Sequence, residues 1–130
     1  MRKIVPLRAA LEDDDLFRPI LGGDSWSAWR TLLIASMGEE LTDEERATFS
    51  RLTGGHEVEP RRRVEEFWAI VGRRGGKSRS IATLVVYLAC LVDHSANLAV
   101  GECGVLSGAR LRHPPPVLND LVHDRCKFRR

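Results

Sequence analysis

The chain has 130 residues, of which 43% are hydrophobic and 29% charged, with a net charge of +2. This composition predicts a soluble globular protein whose length fits one ordinary domain but is short for a complete doubly wound nucleotide hydrolase. Cys90, Cys103 and Cys126 are widely separated from one another, so neither a disulfide framework nor a zinc site is indicated and a reduced, cytoplasmic setting is the expectation. Glu12-Asp13-Asp14-Asp15 interrupts any signal-peptide core, and the longest apolar run, residues 84–92, is far too short to cross a bilayer. Charge is uneven along the chain. Residues 1–103 carry 14 Lys and Arg against 16 Asp and Glu, whereas residues 104–130 carry 6 against 2.

In chain order, residues 7–16 read as a short helix with Leu7, Ala10 and Leu11 inward, and residues 17–23 as an extended connector closed by Gly22-Gly23. Asp24 can cap a helix over residues 25–37, which aligns Trp26, Trp29, Leu33 and Met37 on one stripe and stops at Gly38. Thr42 and Glu45 form a capping box that opens a helix over residues 43–52, ended by Thr53-Gly54-Gly55. The acids at Asp43, Glu44 and Glu45 fall in its first turn, where the helix dipole favours them, so helix stability accounts for them without catalysis. His56 lies in a polar loop with no evident partner. Arg61-Arg62-Arg63 reads as a solvated basic run that could also touch DNA phosphates.

The chain is organised around residues 66–93. Residues 66–71 are a short, mostly apolar run that reads as a strand, residues 72–76 of the Gly72-Arg73-Arg74-Gly75-Gly76-Lys77-Ser78 segment as a glycine-rich turn, and the chain from near Lys77 to about residue 93 as a helix with Ile81, Leu84, Val85, Leu88 and Val92 on one face. Strand, turn and helix in this order are the grammar of a phosphate loop. Glycines let successive backbone N–H groups face phosphate oxygens, and the helix N-terminus adds favourable partial charge. Lys77 would then reach the terminal phosphates and Ser78 would supply a hydroxyl to Mg²⁺. Arg73 and Arg74 lie inside the loop and Arg79 just after it, within reach of a polyphosphate, so Arg74 joins Lys77 as a candidate for stabilising transition-state charge. The usual pattern has its first glycine where this chain has Val71, with Gly72 one residue later.

The Gly-Arg-Arg-x-Gly-Lys-Ser form of residues 72–78 resembles the variant phosphate loop of large terminase subunits, the DNA-packaging ATPases of tailed bacteriophages. The likeness covers residues 5–106. It implies an α/β fold that is part of a P-loop NTPase domain, with N-terminal helices, a strand, the phosphate loop and a buried helix. It also implies ATP and Mg²⁺ as cofactors, a phage- or prophage-encoded protein in the host cytoplasm, and DNA, the portal and the small terminase subunit as partners. Phe17-Arg18-Pro19 with Trp26 and Trp29 resembles the family's aromatic segment associated with adenine.

After residue 93 the pattern changes. Residues 98–106 resemble the approach to a second strand, which Ser107-Gly108-Ala109-Arg110 cuts off, and Pro114-Pro115-Pro116 forces an extended segment before a possible short helix over residues 117–126. Residues 107–130 therefore form a divergent basic tail, expected to pack loosely. No separate apolar strand ending in an acid follows the loop, and Asp93 lies at the end of the loop's own helix. The expectation is a truncated fragment that binds nucleotide with little or no hydrolysis and without the family's nuclease domain. The alternative is a small accessory protein that binds nucleotide or DNA without hydrolysis.

Overall fold

The computed structural model describes residues 2–94 and 96. Within them the protein is helical with one minimal strand pair, a composition compatible with part of an α/β fold. The described residues divide into two compact units, residues 6–80 and residues 2–5 with those from 81 onward. The expected approach to a second strand, the proline block, the basic tail, Cys103 and Cys126 lie outside the described residues.

The unit of residues 6–80 is built on helices α1 (Leu7–Glu12), α2 (Arg18–Leu21), α3 (Ser27–Ser36) and α4 (Asp43–Leu52), with a 3-10 turn at Asp24–Trp26 leading into α3. α3 packs against both α1 and α4. Its core joins Leu7, Ala10 and Leu11 of α1 to Phe17, Ile20 and Leu21, to Trp29, Leu33 and Ile34 of α3, and to Phe49 of α4. Each large apolar side chain buried in this way stabilises the fold by about 1.5–3 kcal/mol.

Three sequence expectations change here. Asp24 opens the 3-10 turn instead of capping α3, which begins at Ser27 with no side-chain cap. The first helix stops at Glu12 rather than continuing to residue 16, because three consecutive aspartates follow and Asp13 turns extended at φ −82°, ψ 126°. The expected extended connector at residues 17–23 is instead the short helix α2. Pro19 sits in its first turn, where a missing N–H costs nothing, and Ile20 and Leu21 are buried. Arg30 of α3 donates from Nη1 to the carbonyls of Leu21 and Gly23 at 2.6 and 2.7 Å, satisfying oxygens that the end of α2 leaves open.

The capping box forms as the sequence requires. Thr42 Oγ1 accepts from Glu45 N at 3.3 Å, and Thr42 N donates to Glu45 Oε2 at 2.8 Å. Glu45 also belongs to a wider network, since Arg8 donates to both of its oxygens at 2.9 and 2.6 Å. Burial pushes the Glu45 carboxyl up, but the hydrogen bonds from Arg8 and Thr42 together pull it below the usual carboxylate range. The neighbouring Glu39 accepts from Leu7 N and Arg8 N at 2.8 and 2.9 Å, capping α1 across a separation of more than thirty residues. A third carboxylate, Glu59, is only 7% exposed. It accepts from Arg46 Nε and Nη2 at 3.1 and 3.0 Å and from Leu41 N at 3.0 Å. The Arg46 and Leu41 hydrogen bonds bring its carboxyl down to about 2.

Gly38 ends α3 at φ 69°. A Cβ there would collide with the backbone of Arg62 and Arg63, and Val64 N donates to Ser36 O at 2.9 Å. Residues 62–64 thus cross the end of α3 at a spacing only glycine permits.

In the other unit, β1 (Arg2–Lys3) pairs antiparallel with β2 (Val92–Asp93), with Arg2 opposite Asp93 and Lys3 opposite Val92. Ile4 N extends the contact to Leu91 O at 3.0 Å, and Tyr87 Oη donates to Val5 O at 2.7 Å. The helix α5 (Lys77–Cys90) begins where the sequence places it but ends three residues before Asp93, which joins β2 instead. Its buried positions are Ser80, Ala82, Thr83, Val86 and Tyr87. Periodicity predicts Ile81, Leu84, Val85 and Leu88 on the inner face, yet Ile81 is exposed and the other three are half-buried. An apolar helix with Tyr and Thr on the opposite face offers two stripes, and hydropathy favours the one without hydroxyls. Tyr87 is buried because its hydroxyl has the Val5 carbonyl as a partner.

Candidate functional site

The site is built from the turn at residues 72–76 and the first turn of α5. Val71 and Gly72 lead into Arg73 and Arg74, and Gly75 N donates back to Gly72 O at 3.2 Å. Arg74 has φ 62° and Gly76 φ 76°, so two left-handed residues reverse the chain within four positions. Gly76 O then accepts from Ser80 N at 3.1 Å, which starts the helix. The N–H groups of the first helical turn have no acceptor within their own helix. Lys77 and Ser78 stand exposed at this end.

Two tryptophans of the α3 region hold the turn. Trp29 is 8% exposed and donates from Nε1 to Gly75 O at 2.7 Å. Trp26 is half-buried, its ring lies where a Cβ on Gly76 would have to go, and the Arg79 guanidinium sits 5.1 Å from its ring centroid. Trp26, Arg74, Gly75, Gly76, Lys77, Ser78 and Arg79 line one open cleft of about 350 Å³.

Most of the residues singled out in the sequence therefore converge. Gly72 does not line this cleft. It borders a separate apolar cavity with Ala28, Trp29, Leu32 and residues 67–71. Arg73 is exposed within the turn and does not line the cleft either. Trp29 acts on the loop from beneath, with its single polar atom engaged by Gly75 O. The Trp29–Gly75 bond joins residues 46 positions apart, and no local sequence signal announces it. Ser80 carries another feature invisible in the sequence: among the described residues its buried Oγ has no hydrogen-bond partner.

The expected strand is the main correction. Residues 66–71 contain no helix, turn or bend, but among the described residues they pair with no strand, and Trp68 and Ile70 are 88% and 108% exposed. An apolar run adopts a ladder only when a second strand satisfies its backbone. Here the flanking backbone bonds are made by Val64 N, to the end of a helix, and by Gly72 O, within the glycine turn.

A bound Mg²⁺ would depend on Ser78 and on phosphate oxygens. Among the described residues, no group of three His, Cys, Asp or Glu side chains could hold a metal. Magnesium commonly keeps several waters and is held through substrate phosphates, so Ser78 would be the one protein ligand of the loop. No helix of the described residues is long and apolar enough to cross a membrane. No protein-family model, curated protein or solved structure matches the chain.

Proposed function

We propose that residues 72–79 form a phosphate-binding loop and that the chain corresponds to the ATP-binding N-terminal part of a phage large terminase subunit. The observation that carries this reading is the conformation of the turn. Left-handed Arg74 and Gly76 bring a glycine-rich segment onto the N-terminus of the 14-residue α5, with Lys77 and Ser78 exposed on the same cleft. Backbone N–H groups of this turn and the Lys77 ammonium would hold phosphate oxygens, and the Ser78 hydroxyl would face the metal. Mg²⁺, when bound, supplies charge neutralisation between phosphates. Trp29 and Trp26 keep the turn in place, and Trp26 is the aromatic surface on this cleft that a base could meet. On this reading DNA, the portal and the small subunit are the partners, in the cytoplasm of a host cell.

Isothermal titration with ATP and ADP in Mg²⁺ tests the proposal. Lys77→Ala should weaken binding by roughly 10- to 100-fold, the loss expected for charge-assisted hydrogen bonds. Arg74→Ala should cost less if that side chain acts on a transition state. No nucleotide binding by a folded chain would refute the loop, and phosphate release that depends on Lys77 would refute the expectation of binding without turnover. A second reading, a DNA-binding accessory protein, draws on the exposure of Arg61, Arg62 and Arg63. Salt-sensitive binding of duplex DNA without any nucleotide binding would favour it.

A further inference from the structure

Residues 65–74 run from acid to base through an exposed apolar centre: Glu65-Glu66-Phe67-Trp68-Ala69-Ile70-Val71-Gly72-Arg73-Arg74. Trp68 Nε1 donates to Glu66 Oε2 at 3.1 Å, so side chains two positions apart share a side, as on an extended chain. Phe67 and Val71 are half-buried, while Trp68 and Ile70 project into solvent. An exposed apolar segment with open backbone groups is a template for strand pairing. We propose that this segment pairs antiparallel with its own copy in a second chain, forming a two-fold ribbon centred on Ala69.

The register follows from symmetry. A two-fold axis between identical antiparallel strands requires one residue to face itself. With Ala69 at the axis, Trp68 of each chain faces Ile70 of the other, and Phe67 faces Val71. Aromatic and β-branched residues placed opposite each other are favourable cross-strand pairs. Glu65 then faces Arg73 directly. Arg74, left-handed at φ 62°, belongs to the turn beyond the strand, and Glu66 already accepts from Trp68 Nε1. Both exposed apolar side chains and the Glu65 and Arg73 charges find complementary partners in the one copy. A parallel arrangement would instead put like charges together at each end. Pairing of this kind needs no bound nucleotide. A ribbon of this length buries less than the roughly 1,200–2,000 Å² of stable complexes, so the dimer should be weak and concentration-dependent.

Sedimentation of the whole chain over a wide concentration range, with circular dichroism to verify folding, is the test. The wild-type chain should pass from monomer to dimer, and Ile70→Lys should remove the dimer. The variants Glu65→Arg and Arg73→Glu each place like charges opposite one another and should each associate roughly tenfold more weakly. Mixed together they carry opposite charges at every facing position, so the mixture should dimerise again. A wild-type chain that stays monomeric overturns the proposal, as does a dimer that survives Ile70→Lys. Failure of the mixture to associate, with the wild type dimeric and both variants folded, overturns the register.

Discussion

Gly72 and Gly76 are alike in the sequence and unlike in their surroundings. Gly76 sits at φ 76°, and an added Cβ would run into the ring of Trp26. Gly72 has no positive φ and nothing within 4 Å of an added Cβ. Gly76→Ala must therefore either displace Trp26 or unwind the turn, in addition to the intrinsic cost of about 1 kcal/mol for a left-handed non-glycine residue. Gly72→Ala should change stability by no more than about 0.5 kcal/mol, as for most open surface positions. Denaturant unfolding of the two variants should show a clear loss for the first alone. Equal losses would mean that the turn is held differently. The Trp29–Gly75 bond belongs to the same scale, because one indole N–H fixes the carbonyl beside the glycine that cannot be replaced.

Helix starts show which elements could be read in advance. Thr42 and Glu45 are three residues apart, so the cap of α4 is written locally and forms as expected. The start of α1 offers no such signal: Pro6 has no capping side chain, and the acceptor for Leu7 N and Arg8 N comes from Glu39, in the segment between α3 and α4. Thr42→Ala should lower the unfolding free energy by about 1 kcal/mol. Glu39→Ala removes a charged acceptor from two part-buried N–H groups and should cost more, about 1–3 kcal/mol. Urea titration of both variants checks the order, and a larger effect for Thr42→Ala would contradict it. The same distinction explains the other differences. The glycine turn and the start of α5 follow from neighbouring residues and are legible. The inner face of α5 is not, since Tyr87 depends on a carbonyl 82 positions away. Residues 66–71 have strand composition, but pairing requires a partner strand that composition cannot supply.

At the scale of the whole molecule, the paired carboxylates set how the protein responds to acid. Glu59 is held by Arg46 and Leu41 N at about 2, against an ordinary value of 4.5, and Glu45 is also held low. A carboxyl whose folded value lies below its unfolded value stabilises the fold fully above the unfolded value, and that contribution is lost as pH falls toward the folded one. Stability should thus be level near neutrality and decline between pH 4.5 and about 2. Glu59→Gln keeps the side chain's shape but removes its charge. The variant should unfold with about 1–3 kcal/mol less free energy at neutral pH, through weaker bonds to Arg46 and Leu41 N. Its decline with acid should be shallower, so the two curves approach each other toward pH 2. Urea midpoints measured for both proteins through this range decide the matter. Parallel curves would show that Glu59 does not titrate with folding, and the acid response would then lie with other carboxylates.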